Sequence, residues 1–209
     1  MHIYAFGSIC RGDIDLASDV DLLAIVEGHN DQLTQSIFSI YSYGRLSELW
    51  REGNPFAWHL ALESRIVHSS DGADFLKNLG LPNAYSNGNR DCDRFLNLFE
   101  DACLSLASSK AAEVFDFSTI FLSVRNFASC YSLEFRKTAD FSRHSALNLG
   151  NQSIPIDLRQ YRVLERARIL CTRGFGEGLS ETDIALARGS LITIREWMLR
   201  LSGEAQAHE

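Results

Sequence analysis

Several features that would assign this 209-residue sequence to a specialised class of protein are missing from it. Basic residues are fewer than acidic ones, 20 against 27, and the formal net charge is -7. Non-specific binding to nucleic-acid phosphates needs clustered Lys and Arg, so nucleic acid is not expected as a partner. No apolar run approaches the roughly 18 residues that a membrane span requires, and no membrane partner is expected either.

Paired cysteines are also missing. The five cysteines are odd in number and widely scattered, and no two are separated by only two residues. This pattern argues against a zinc site or a redox motif, and we expect reduced, mostly buried thiols. Nothing near Met1 has the basic and then apolar segments of a secretory signal, so we expect a cytoplasmic protein.

The hydrophobic pattern of the first part of the chain predicts a mixed α/β structure. His2–Phe6 is a β-type run that stops at Gly7, and Val20–Val26 is apolar enough to be a buried strand. Apolar positions between Asp31 and Trp50 recur at helical spacing. Phe56–Val67 alternates between apolar and polar residues and is predicted as a third strand. These segments predict one α/β domain over residues 1–80.

The second part of the chain has helical periodicity throughout. Residues 81–89 are poor in apolar residues, contain Pro82 and the turn signal Asn87-Gly88, and are predicted to form a linker. Residues 90–209 are predicted to form an all-α helical bundle. Its four helices are expected around residues 95–102, 117–131, 157–173 and 181–201. The predicted organisation is therefore a mixed-sheet α/β domain, a linker and a helical domain.

Two short patterns in the first domain suggest a phosphate and metal site. Gly7 ends a strand and lets the backbone approach a ligand, and Ser8 offers a hydroxyl and an N–H group. Asp19 and Asp21 are separated by one residue on a strand, so both point to one face and can share Mg²⁺. Taken separately, Gly-Ser is also a common turn, and an Asp-x-Asp pair can be a solvated strand end.

Together, the patterns resemble the signature of the DNA polymerase β-like nucleotidyltransferase superfamily. The minimal bacterial and archaeal members carry Gly-Ser-x-x-Arg-Gly and, after a variable stretch, Ser-Asp-x-Asp-Leu. This chain has Gly7-Ser8, Arg11-Gly12 and Ser18-Asp19-Val20-Asp21-Leu22 in the same order. The resemblance covers residues 2–26 and implies a mixed-sheet nucleotidyltransferase core.

The resemblance also implies a reaction and its residues. Asp19 and Asp21 would hold Mg²⁺, while Gly7 and Ser8, helped by Arg11, would bind the phosphates of a nucleoside triphosphate, expected to be ATP. A nucleoside monophosphate would be transferred to a hydroxyl acceptor and pyrophosphate released. The family then implies an Mg-dependent enzyme.

A third carboxylate, which family members place on a later strand as a metal ligand or general base, has no clean copy here. Glu63 is the acid in the third predicted strand, and we assign it this role. His59 lies on the same predicted face and is an alternative base, or a structural histidine. If neither reaches Asp19 and Asp21, the alternative is a non-catalytic nucleotide-binding or regulatory module.

The helical domain carries a second, shorter resemblance. Arg125-Asn126 resembles the Arg-Asn opening of HEPN domains, which often accompany minimal nucleotidyltransferases. HEPN ribonucleases place a His shortly afterwards, where this chain has Cys130 and Tyr131, so RNA cleavage is not expected. Arg143-His144 lies in a polar segment that could meet phosphate or acceptor, or could be solvated.

The acceptor is left open by the sequence. It could be a small molecule, as in antibiotic-modifying enzymes, or a protein, as in antitoxins that adenylylate a HEPN toxin. A homo-oligomer is compatible with the sequence.

Overall fold

The computed structural model describes residues 1–13, 20–28, 31 and 33–206. They form two compact units, Met1–Ser86 and Asn87–Glu209. The first unit contains, in chain order, β1 (His2–Phe6), α1 (Ser8–Arg11), β2 (Asp21–Val26), β3 (Phe38–Ser42), α2 (Tyr43–Arg51), α3 (Pro55–Glu63), β4 (Ser64–Ser69) and α4 (Phe75–Leu79).

The four strands form one mixed sheet in the order β3-β2-β1-β4. Strand β1 is antiparallel to both β2 and β4, and β2 is parallel to β3. Phe6, the last residue of β1, pairs with Asp21 on one side and Ser64 on the other. The sheet thus brings the end of β1 beside the starts of β2 and β4. The two predicted strands at His2–Phe6 and Val20–Val26 are confirmed.

The core of this unit lies between one face of the sheet and the helices. Tyr4 and Leu23 from the sheet and Leu46 and Leu60 from the helices are among its fully buried side chains. Tyr4 is fixed at both ends, because its hydroxyl donates to the Asp74 carboxylate at 2.8 Å and the ring lies within the core. Burial of each large apolar side chain contributes about 1.5–3 kcal/mol.

The strand predicted over Phe56–Val67 is wrong for most of its length. Residues Pro55–Glu63 form α3, and only the segment from Ser64 is a strand. The local sequence begins a helix: the Asn54 side chain accepts from the Phe56 N–H at 2.9 Å, and Pro55 occupies the first turn. These capping signals outweigh the apparent alternation of apolar residues.

The helix predicted between Asp31 and Trp50 is confirmed only in its second half. Phe38–Ser42 is β3, which pairs in parallel with β2, so tertiary pairing overrides helical spacing there. Ser42 then caps α2, because its hydroxyl accepts from the Arg45 N–H at 3.1 Å.

The second unit is helical, as predicted. It contains α5 (Gly88–Ser108), α6 (Glu113–Phe135), two 3₁₀ turns at Ser145–Leu147 and Gly150–Gln152, α7 (Leu158–Arg173) and α8 (Glu181–Gln206). Helix α6 packs against α5, α7 and α8 and buries most of its length. The predicted fold class, a mixed α/β sheet followed by an all-α bundle, is confirmed.

Two helix ends illustrate how closely local signals determine this unit. Asp157 and Gln160 form a reciprocal capping box at the start of α7, and Gly174 ends the helix in the left-handed conformation. Ser180 and Asp183 exchange backbone and side-chain hydrogen bonds at the start of α8. Among the described residues, no helix combines the length and apolar character needed to cross a bilayer.

Candidate functional site

The turn after β1 is the centre of the candidate site. Gly7 has φ 78° and ψ -142°, a conformation open essentially to glycine. Its carbonyl oxygen accepts from the Cys10 N–H at 3.0 Å and starts α1. Ser8 is partly exposed, and its hydroxyl makes no hydrogen bond with any described residue. The hydroxyl is thus available to a ligand.

Asp21 lies directly against this turn. A Cβ atom added at Gly7 would be 2.8 Å from Asp21 Oδ2 and 3.9 Å from His59 Nε2. Only glycine therefore lets the β1 turn approach the carboxylate this closely. Asp19, the other predicted acid, lies outside the described residues.

Glu63 closes the site from the other side. It is the last residue of α3, and its backbone oxygen accepts from the Gly7 N–H at 3.1 Å. Its side chain, 12% exposed, has Oε2 in contact with the Arg11 guanidinium and 3.0 Å from His59 Nε2. His59 and Glu63 share a face because they are one helical turn apart, not because they alternate on a strand.

Arg11 contacts two carboxylates. Its Nε donates to Asp13 Oδ2 at 3.0 Å, and its Nη1 donates to Glu63 Oε2. Although burial lowers the pKa of Arg11, the hydrogen bonds and negative charges of Asp13 and Glu63 outweigh it and raise that pKa above its ordinary value. The predicted role of Arg11 in phosphate binding remains a prediction, since its guanidinium faces carboxylates here.

Two neighbours of the site were missed by the sequence reasoning. The Phe6 ring meets the His59 ring edge-on at 5.6 Å, which fixes the imidazole. The Cys10 thiol donates to the Ala5 carbonyl at 3.4 Å, and burial raises its pKa. The His-to-Glu spacing of four residues would have indicated the shared face, had the segment been recognised as helical.

The carboxylates at this turn are suitable ligands for a hard cation. Asp21 and Glu63 both border Gly7, and carboxylate oxygens are the donors that Mg²⁺ prefers. Over residues 1–13, 20–28, 31 and 33–206, no three His, Cys, Asp or Glu side chains are grouped closely enough to hold a metal ion. Asp19, which the resemblance assigns to the metal, is outside that range.

In the second unit, Arg125 holds the segment that follows α6. Its Nε donates to the Ser142 carbonyl at 3.3 Å, and its Nη2 donates to the Phe141 carbonyl. The Arg125 carbonyl accepts from the Ser145 hydroxyl at 2.9 Å. Arg125 also donates to Asn126 Oδ1 at 3.2 Å, so the Arg-Asn pair acts together in this contact.

Arg143 and His144 lie in the segment that Arg125 holds. Arg143 Nη1 is 3.4 Å from Glu165 Oε1, and His144 Nε2 is 3.8 Å from the same oxygen. The Tyr161 hydroxyl donates to the Arg143 carbonyl at 2.6 Å. The segment is therefore anchored to α7 rather than loosely solvated.

A comparison with solved structures identifies the fold. The crystal structure of a spectinomycin adenyltransferase from Enterococcus faecialis, with ATP and spectinomycin, matches with a TM-score of 0.54. The match covers 96% of this chain and 91% of that chain, at 16% sequence identity. This chain shares the fold of that adenyltransferase structure. The sequence matches no family model, and no curated protein matches it.

The nucleotidyltransferase fold that the Gly-Ser and Asp-x-Asp patterns implied is thereby supported along almost the whole chain. The helical second unit is consistent with it. Whether that unit is HEPN-like stays a prediction.

Proposed function

We propose that this protein is a nucleotidyltransferase that transfers a nucleoside monophosphate, expected to be AMP, from a nucleoside triphosphate to a hydroxyl acceptor. The observation that supports it most is the meeting of Ser8, Asp21 and Glu63 around the Gly7 turn. The fold shared with an adenyltransferase solved with ATP agrees with this proposal.

Gly7 and Ser8 bind the triphosphate in this proposal. The absence of a side chain at Gly7 lets the backbone lie directly against the Asp21 carboxylate, and the unengaged Ser8 hydroxyl donates to phosphate oxygens. Arg11, always charged, supplies positive charge to the same region.

Asp19 and Asp21 would hold Mg²⁺, and Glu63 acts either as a third ligand or as the general base. When bound, the ion would neutralise phosphate charge and stabilise the leaving pyrophosphate. Glu63 accepts the proton of the acceptor hydroxyl as its oxygen forms a bond to the α-phosphorus. The bond between that phosphorus and the oxygen bridging to the β-phosphate breaks, and pyrophosphate carries away the electron pair.

A small hydroxylated molecule is the proposed acceptor. The structural neighbour was crystallised with spectinomycin, a small molecule, and the match extends over both units of this chain. A protein hydroxyl, as in adenylylating antitoxins, is the alternative acceptor.

A second candidate function, a non-catalytic nucleotide-binding module, is favoured by one contact. Glu63 Oε2 already contacts the Arg11 guanidinium, so an ion pair within the protein occupies this oxygen and an acceptor hydroxyl does not reach it. In such a module the site would bind nucleotide and metal without turnover.

The two candidates are separated by measuring pyrophosphate release from each of the four ribonucleoside triphosphates with Mg²⁺ and a panel of hydroxylated acceptors. We expect release with the wild type and a loss of at least about 100-fold in Asp19→Asn and Asp21→Asn. Glu52→Gln, an exposed carboxylate paired with Arg45, is the matched control and should retain full activity. Binding of nucleotide without release, for every nucleotide and acceptor, would favour the module.

A further inference from the structure

We propose that Arg11 and His59 are positioning residues that hold Glu63 by one carboxylate oxygen, Oε2, and present the other, Oε1, to the reaction. The contacts of Arg11 and His59 with Oε2 form a tether, and this tether is a property of the protein alone. Its effect on catalysis rests on the proposed transferase function. In this tether, Arg11 orients Glu63 and does not bind phosphate.

The contacts around Glu63 are one-sided. The Arg11 guanidinium and the His59 Nε2 atom both approach Oε2. Within the described part of the chain, Oε1 has no hydrogen-bond or ion-pair partner. One oxygen is thus doubly contacted while the other is left for a proton or a cation.

The residues that contact Glu63 are themselves fixed. Arg11 is held by Asp13, with the Nε to Oδ2 distance at 3.0 Å, and His59 lies edge-on against the Phe6 ring. The Glu63 backbone is joined to Gly7. Ordering a free glutamate side chain costs about 1.5–2 kcal/mol of rotamer entropy. Because Glu63 is already ordered in the folded protein, substrate binding does not carry this cost.

Charged side chains lie close to the His59 ring. Glu63 lies one turn further along the same helix and contacts the imidazole, Asp21 borders the same Gly7 position as His59, and Arg11 contacts the same Glu63 oxygen. Nε2 lies 3.0 Å from Oε2 without hydrogen-bond geometry, and because a carboxylate oxygen can only accept, this approach is attractive only when Nε2 carries a proton. The neutral ring is therefore expected as the Nε2–H tautomer.

The kinetic test separates positioning from phosphate binding. His59→Phe and Arg11→Ala should each lower kcat by about 10–100-fold, the usual effect of losing a residue that orients a ligand or base. Neither should raise the KM for the nucleotide more than about threefold, because in the tether both side chains act on Glu63 and not on phosphate. His59→Gln, whose amide nitrogen can replace Nε2, should recover most of the lost kcat.

Two controls keep this test specific. His68→Phe, an exposed histidine on β4, should leave kcat unchanged. In Glu63→Gln, adding His59→Phe should cause no further loss, because the two residues act through one carboxylate. A raised KM with unchanged kcat in Arg11→Ala would overturn the tether and assign the guanidinium to phosphate binding.

A measurement without activity tests the tether separately from the transferase function. Nitrogen-15 NMR of the histidine rings should show His59 as the Nε2–H tautomer in the wild type and a changed ring environment in Glu63→Ala. An Nδ1–H tautomer, or a ring unaffected by Glu63→Ala, would overturn the tether. If the NMR result is as expected and no nucleotide is turned over with any acceptor, only the transferase proposal fails.

Discussion

Gly7 and Asp21 are packed so closely that the carboxylate occupies the space a side chain at position 7 would need. The added Cβ would lie 2.8 Å from Asp21 Oδ2, closer than real Cβ contacts come. The sheet creates this relationship, because Phe6 and Asp21 are paired across β1 and β2. The end of β1 and the start of β2 are thus held together at a position that only glycine can occupy.

Gly7→Ala should impair both stability and ligand binding. The positive φ alone costs about 1–3 kcal/mol, and the methyl group would push Asp21 away from the site. We expect at least a tenfold loss of nucleotide affinity with Mg²⁺, measured by calorimetry.

Gly72→Ala is the matched control for this substitution. Gly72 has nearly the same φ, 76°, but an added Cβ would meet nothing within 4 Å. This variant should lose stability in urea unfolding and keep its nucleotide affinity. Equal losses of affinity in both variants would mean that Gly7 matters only for folding.

Ser8→Ala should weaken nucleotide binding without affecting the fold. The hydroxyl has no partner among the described residues, so its removal leaves no buried group unsatisfied. A lost hydrogen bond to a charged phosphate corresponds to about 1.5–3 kcal/mol, or at least about a tenfold rise in Kd. Ser47→Ala, which removes a hydroxyl bonded within α2, is the control. A fall in stability as large as the fall in affinity would contradict the assigned role.

Arg125→Ala should destabilise the second unit and expose the segment after α6. The substitution removes donors to the Phe141 and Ser142 carbonyls, and a hydrogen bond from a charged group contributes about 1.5–3 kcal/mol. Hydrogen exchange should show faster exchange of amides in residues 142–148. Arg162→Ala, an exposed residue of α7, should not change them. Unchanged exchange in Arg125→Ala would mean that Arg125 does not hold this segment.

The thiols should differ sharply in reactivity. Cys171 is exposed, whereas burial raises the pKa of Cys103 to about 11 and raises that of Cys92 still further. Because the thiolate is the nucleophile, Cys171 should be alkylated first at pH 8, and Cys92 and Cys103 only after unfolding. Mass spectrometry of the labelled peptides measures this order, and Cys171→Ser should remove the fast phase. Rapid labelling of Cys92 in the native protein would mean that α5 and α6 do not pack as described.

Local signals predicted much of the fold. The strand ending at Gly7, the buried strand ending at Val26 and the α7 helix between Asp157 and Gly174 are encoded by nearby residues, and each was predicted from them. The predictions failed at β3, where pairing with β2 decides the structure, and at α3, where the Asn54 cap starts a helix that was predicted as a strand. Phe38–Ser42 became a strand because β2 offered it a partner, which helical spacing cannot reveal.

The sequence patterns singled out residues that the fold brings together, but not the geometry in which they meet. Gly7 and Asp21 were both singled out, and the sheet places them together. Glu63 was assigned to a strand, whereas it ends a helix and meets Arg11 and His59 there. These contacts between α1 and α3 join residues 52 positions apart, and only the folded sheet brings them together.

The most direct test of the proposed transferase function is the fate of the α-phosphate. The protein is incubated with Mg²⁺, a hydroxylated acceptor and ATP labelled at either the α- or the γ-phosphate, and the acceptor is then isolated. The account predicts that the acceptor takes up the α-label, that the γ-label leaves in pyrophosphate, and that Asp21→Asn abolishes both. Transfer of the γ-label to the acceptor, or the same α-label transfer with Asp21→Asn as with the wild type, would contradict it.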